Sequence, residues 1–165
     1  IDFPGKGQEI LVEQPTYHRM NQLLLAQNIP YQTIDRRVDG IDLNKLEEHF
    51  KSGKIKFFYT IPRFHYPLGH SYSEEEKLAI LDLAAKHQIY IVEDDYLGDL
   101  DPKMGQTFHY LDQHDLVIYI KSFWHFPCFT ETNQLTIKII FKMVGNCFFE
   151  NCCIICMNIQ ISLIG

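Results

Sequence analysis

The sequence predicts an α/β fold in which a mainly parallel sheet lies between layers of helices, a three-layer α/β/α arrangement. Two observations carry this. Over the first 123 residues, short apolar runs of strand length alternate with helical stretches, the spacing that right-handed crossovers between parallel strands require. Polar and aromatic residues gather where four of these runs end: at Tyr17, in the loop 63–69, at Asp94 to Tyr96, and at Lys121-Ser122-Phe123. Parallel sheets bind ligands beyond the carboxyl ends of their strands, so these four clusters are expected to converge on one cleft.

Residues 9–13 (EILVE) form the first expected strand. Pro15 opens a helical stretch from Thr16 to about Asn28, with Leu23, Leu24 and Leu25 on its inner side; the N–H that proline lacks would be unpaired in a first turn anyway. Residues 31–34 read as the next strand. Gly40-Ile41-Asp42 reads as a turn whose Asp42 caps a helix over 43–50, ended by Ser52-Gly53. Residues 55–61 (IKFFYTI) are apolar enough for a buried strand, and a loop with two prolines and a glycine follows over 62–72. Ser73 and Glu76 form a capping box, hydroxyl to the third helical amide and carboxylate back to the cap amide. The helix they start runs to about His87, with Leu78, Ile80, Leu81, Leu83 and Ala84 on its apolar side. Residues 89–92 form a strand ending in Glu93-Asp94-Asp95-Tyr96, and residues 116–120 (LVIYI) another.

An acidic cluster at a strand end serves two chemistries. Paired carboxylates, here Asp94 and Asp95, can ligate a divalent metal. A single carboxylate can instead hold a protonated heterocyclic nitrogen, and the adjacent Tyr96 favours this, because a phenol can hydrogen-bond a cofactor's phenolate. The plain structural reading is a helix cap plus solvated charge. For Tyr17-His18-Arg19 the plain reading is an ordinary first helical turn. His65 and His70, spaced H-x4-H, read as surface-loop histidines before they read as a metal pair.

The chain of 165 residues has a net charge of −6 and a pI of about 5.7. An acidic surface argues against a nucleic-acid groove and against an anionic membrane as partner. No uncharged apolar run in the first 120 residues is long enough to span a bilayer, and no basic segment precedes an apolar one near Ile1; neither a membrane span nor a signal peptide is expected. Composition breaks near residue 124. Residues 1–123 hold 13 Lys+Arg and 19 Asp+Glu, whereas residues 124–165 hold two of each sign and all five cysteines: Cys128, Cys147, Cys152, Cys153 and Cys156. This tail lacks alternation, caps and turn signals and is expected not to fold as a domain. Zinc sites want two separated ligand pairs, and only one pair-like cluster is present; disulfides are not expected in a chain without export signals.

Three blocks also carry a family resemblance: Gln14-Pro15-Thr16-Tyr17-His18-Arg19, Tyr59-Thr60-Ile61-Pro62 with Tyr66-Pro67-x-Gly69, and Ile91-Val92-Glu93-Asp94-Asp95-Tyr96. In order and spacing they resemble fold-type I PLP-dependent aminotransferases of class I/II, most of all the aminotransferase-like domain of GntR-family regulators of the MocR type. The resemblance covers residues 1–123 and implies a partial PLP-transferase large domain. It implies that Asp94 pairs with the pyridine nitrogen of pyridoxal 5′-phosphate, that Tyr96 bonds the ring's 3′ oxygen, and that Tyr17 stacks on the ring. Arg19 would meet a substrate carboxylate. Tyr66 stands where the enzymes usually have an asparagine, and the resemblance implies that His65 would substitute for that contact. Ser122 opens the family's Ser-x-Ser-Lys segment.

That segment here reads Ser122-Phe123-Trp124-His125, so His125 occupies the place of the Schiff-base lysine. Imidazole cannot replace a lysine amine there, and Lys121, four residues earlier, is a poor substitute. The expectation is therefore a catalytically inactive fragment of an amino-group-transferring domain, or a PLP-sensing remnant of a transcriptional regulator. The phosphate cup is expected upstream of Ile1, and the small domain with its carboxylate-binding arginine beyond the match. Expected partners are an amino acid or other amino compound and, in the intact family, a second copy as homodimer, with no nucleic-acid or membrane contact from this segment. The expected location is the cytoplasm. A frameshift near codon 124 would account for the tail: residues 124–130, reverse-translated and read one base later, permit Gly-Ile-Phe-Pro-Ala-Leu-Arg, and a Phe-Pro-x-Leu-Arg run follows the lysine in the family.

Overall fold

The computed structural model describes residues 7–98, 106–122 and 137–139. Its strands are β1 (Glu9–Gln14), β2 (Tyr31–Arg37), β3 (Gly40–Ile41), β4 (Ile55–Thr60), β5 (Tyr90–Asp94), β6 (Val117–Ser122) and β7 (Ile137–Ile139). They form one sheet in the order β3-β2-β1-β4-β5-β6-β7. The inner five are parallel, and the short edge strands β3 and β7 are antiparallel to β2 and β6. The helices are α1 (His18–Ala26), α2 (Leu43–Lys51), α3 (Glu74–His87) and α4 (Phe108–Leu111). The expected α/β fold with a mainly parallel sheet is what the chain adopts.

Alternation along the strands sorts the core into two layers. Leu11, Ile34, Phe58 and Ile91 face α2, α3 and α4, meeting Leu46, Phe50, Ile80, Leu81, Ala84 and Phe108. Ile10, Val12, Tyr59 and Ile61 face the other way and meet Leu24 of α1. Because both faces are covered, the central strands are apolar on both sides. Burying each of the large side chains stabilises the fold by roughly 1.5–3 kcal/mol.

Local signals act as the sequence suggests at two helix starts. The Asp42 carboxylate accepts from the amides of Asn44 and Lys45, and the Ser73–Glu76 capping box is formed in both directions. Elsewhere the structure departs from expectation. Pro15 is not a first helical residue: it sits in a turn, joined to Gln14 by a cis peptide, and α1 starts at His18 behind Tyr17. Leu24 is buried but Leu25 is 64% exposed, since successive helical residues lie about 100° apart and three in a row cannot share a face. On α3, Leu78 is exposed and Lys77 is buried in its place. Gly40-Ile41 is not a plain turn but pairs with Arg36 and Arg37 as β3. Gly40 lies under α3, where a Cβ would collide with the Glu76 carboxylate. β2 and β6 each extend beyond the expected runs, to Arg37 and Ser122. Neither α4 nor β7 was expected. β7 falls within the cysteine-rich stretch; the rest of that stretch, His125 included, lies outside the described residues, as does Phe123. Among the described residues no helix is long and apolar enough to cross a membrane.

Candidate functional site

The carboxyl ends of β1, β4, β5 and β6 lie side by side, and the acidic run that ends β5 is divided by strand alternation. Asp94 follows Val92 onto the α1 face. Its Oδ2 accepts a 2.5 Å hydrogen bond from the hydroxyl of Tyr59, on neighbouring β4. Burial pushes the Asp94 carboxyl up to about 6; the Tyr59 hydrogen bond opposes this and the charge of Asp95 adds to it. Among the described residues no cation lies within ion-pair distance of Asp94. The Tyr59 phenol is pushed well up, first by burial and then by Asp94.

Three further aromatics stand at this edge. The Tyr96 hydroxyl donates to the Phe64 carbonyl at 3.1 Å, and its phenol is raised by burial, then by Asp94 and Tyr66. Tyr17 and Tyr66 are exposed and meet edge to face, with ring centroids 6.2 Å apart; His18 flanks both rings, at 5.0 and 6.5 Å. The result is a partly open wall of one carboxyl and several phenols.

The opposite face carries buried charge at the same strand ends. Glu13 is fully buried, and its carboxylate accepts from Thr60 Oγ1 at 2.8 Å, from the Ile61 amide at 3.1 Å and from the Tyr72 hydroxyl. Arg36 Nε lies 3.8 Å from Glu13, and the guanidinium sits 3.5 Å over the Tyr72 ring, a cation–π contact. His65 Nε2 is 3.3 Å from Glu13 but outside hydrogen-bond geometry. Asp95 is also fully buried. It takes the fork of Arg63 through Nε, at 2.9 Å, and Nη2, and accepts from the Tyr119 hydroxyl at 2.6 Å. Glu93, raised to about 7 chiefly by burial, accepts from the amides of Phe108 and His109 and so caps α4. Lys77 Nζ donates to the Gln106 carbonyl at 2.7 Å, and burial lowers its amine.

Of the residues expected at the site, Tyr17, Tyr66, Asp94 and Tyr96 share this edge. Arg19 is exposed on α1. Ser122 is the last residue of β6, two positions past Ile120, which pairs with Asp94. Lys121 alternates to the opposite face from Ile120. His65 is not a surface-loop histidine: its ring is fully buried against Glu13, while His70 is exposed. The two histidines therefore cannot act as a surface pair. Asp94 and Asp95 point to opposite faces and cannot share one metal ion. Among the described residues no group of three or more His, Cys, Asp or Glu side chains is placed to hold a metal. Sequence reasoning missed Tyr59 as a partner of Asp94. The signal was present in strand phase, since Tyr59 stands opposite Val92, on the side to which Asp94 returns two residues later.

Comparison with known proteins bears on the fold and the family. A mainly parallel sheet with helices on both faces defines an α/β domain. The family model for aminotransferase class I and II matches residues 3–122, and the chain belongs to that family. It is 45% identical over 124 residues to an uncharacterised HTH-type transcriptional regulator of Bacillus subtilis, YcxD, covering 74% of this chain and 28% of that protein. It is 31% identical over 128 residues to aromatic-amino-acid aminotransferase 1 of Thermococcus litoralis, covering 73% and 31%. Among solved structures it resembles the kynurenine aminotransferase of Pyrococcus horikoshii in complex with PMP. There the TM-score is 0.62 at 30% identity, over 70% of this chain and 30% of that one. It also resembles LysN, the α-aminoadipate aminotransferase of Thermus thermophilus, complexed with N-(5′-phosphopyridoxyl)-L-leucine. There the TM-score is 0.63 at 27% identity, over 72% and 32%. The chain thus spans about a third or less of the length of these relatives.

Proposed function

We propose that this chain is the pyridine-facing part of an aminotransferase-like domain, that it holds pyridoxal 5′-phosphate without a covalent bond, and that it does not itself transfer an amino group. The observation that carries this is Asp94. A half-buried carboxyl with no cation beside it among the described residues, raised to about 6, is a site for a cationic ring nitrogen, which would restore the charged form that burial disfavours. When bound, pyridoxal phosphate supplies an electron sink for carbanion chemistry. Asp94 would keep its nitrogen protonated, with Tyr59 holding the carboxylate in orientation. Tyr96 would hold its hydroxyl beside the ring oxygen, and Tyr17 would cover a ring face. Arg19, exposed on α1, would meet the carboxylate of an amino compound, and Tyr66 would close the aromatic side.

Two points separate binding from transfer. His125 stands at the place that the family gives to its cofactor-attaching lysine, and Lys121 lies on the face away from Asp94. A sensing role is favoured by the 45% identity to an HTH-type regulator, and the ligand sensed would be the cofactor with an amino compound.

Absorbance titration of the purified chain with pyridoxal phosphate, before and after borohydride, tests this, with peptide mapping of any adduct. A saturable spectral change that disappears in Asp94→Ala, with no stoichiometric lysine adduct, is expected. A single lysine modified one-to-one, or binding indifferent to Asp94→Ala, would overturn it.

A further inference from the structure

We propose that the buried Arg63–Asp95 pair is the positioning element of this site: it sets Tyr96, and with it the contact to the ring oxygen, from the opposite side of the sheet. This rests on the cofactor reading above. Arg63 lies in the loop after β4, and Asp95 is the first residue after β5. Their forked pairing is almost fully excluded from water, with side-chain exposures of 7% and 0%. Tyr119 of β6 donates to the same carboxylate, so three neighbouring strands are tied at one point.

Tyr96 is caught by this pair at both of its ends. Its backbone lies in the turn between Asp95 and Gly98, whose amide reaches back to the Asp95 carbonyl at 3.5 Å. Gly98 closes over the pair: a Cβ there would collide with both the Asp95 carboxylate and the Arg63 guanidinium. The far end of Tyr96, its hydroxyl, donates to the carbonyl of Phe64, the residue next to Arg63. A forked guanidinium has one preferred orientation on a carboxylate, so fixing Arg63 fixes the height of the Phe64 carbonyl. A lysine would supply the charge without that orientation.

The test uses the full chain labelled with 3-fluorotyrosine. The fluorine NMR line of Tyr96, among nine tyrosines, is assigned with Tyr96→Phe. In Arg63→Met the Tyr96 line should move, and its phenol should titrate at lower pH because it leaves a buried environment. Affinity for pyridoxal phosphate should fall about tenfold, the loss of roughly one good hydrogen bond. Arg63→Lys should give the same line shift in smaller measure while keeping the fold, and Gly98→Ala should reproduce it by displacing the pair without removing either charge. Lys86→Ala, which removes an exposed pair with Glu47, should leave the line where it was. A Tyr96 line and titration unchanged in folded Arg63→Lys and Gly98→Ala would reduce the pair to a structural brace and overturn the proposal. Should the unsubstituted chain bind no pyridoxal phosphate, the cofactor reading fails by itself, and the fluorine lines still decide the positioning.

Discussion

Asp94 and Asp95 are adjacent in the chain, yet their carboxylates serve opposite faces of the sheet: Asp94 bonds Tyr59 on the α1 side, and Asp95 holds Arg63 and Tyr119 on the α3 side. Neighbouring residues of a strand point apart by construction. The pair divides the strand end, one carboxyl left half-buried at the open edge and the other sealed into the scaffold.

Removing the sealed partner should be severe. Asp95→Ala leaves the Arg63 guanidinium buried without a counter-charge, which costs about 3–5 kcal/mol. Urea denaturation should show that loss or no folded baseline. The double replacement Arg63→Met with Asp95→Leu should recover much of it, because no bare charge is left inside.

Stability should fall as pH rises through the weakly acidic range. Asp94 and Glu93 have folded-state values of about 6 and about 7, above their ordinary 3.8 and 4.5. Between the ordinary and the raised value the folded chain holds protons that the unfolded chain has released. Their contribution is therefore fully present below about pH 4 and lost as pH rises to 6 and then 7, by roughly 3 kcal/mol for each group. Urea midpoints measured at pH 4.5 and 7.5 should show this slope, and Asp94→Asn should flatten its lower part.

Tyr59→Phe should raise the Asp94 carboxyl further, by about one pH unit, since the hydroxyl favours the charged form and a net hydrogen bond of this kind is worth about 1–1.5 kcal/mol. Carbon NMR titration of the aspartate carboxyls reads this directly. An unchanged midpoint would mean that the hydroxyl does not hold the carboxylate in solution.

The capping box gives a smaller, local effect. Ser73→Ala removes the acceptor for the Glu76 amide and should cost about 1 kcal/mol, seen as a shifted midpoint with an unchanged denaturant slope.

Much of the fold was legible because its signals are local. Ser73 with Glu76, and Asp42 with the amides after it, act within a few residues. The apolar runs at β1 and β4 need no partner to be recognised as strands. The locations of Tyr17, Asp94 and Tyr96 at the strand ends followed from the same pattern. What the pattern did not carry was pairing across the sheet. Arg63 and Asp95 are 32 residues apart, and no local rule tells which cation an acidic run will bury. His65 looked like a loop histidine because the sequence does not show that the loop folds it onto Glu13. Lys77 took a core position expected of Leu78 because a carbonyl, that of Gln106, waits for its amine; such a partner is invisible to helical periodicity. α4 is too short for periodicity to announce and exists where Glu93 receives its amides.

The alternation of β5 has a consequence for how this chain can change. Deleting or inserting a single residue between Tyr90 and Asp94 would rotate every later side chain to the other face. Asp94 would then be driven toward α3, and its neighbour turned outward with Arg63 left behind. Point substitutions can alter the two faces separately, but a one-residue change of length dismantles both at once. Strand β5 can thus vary in chemistry only while its phase is kept.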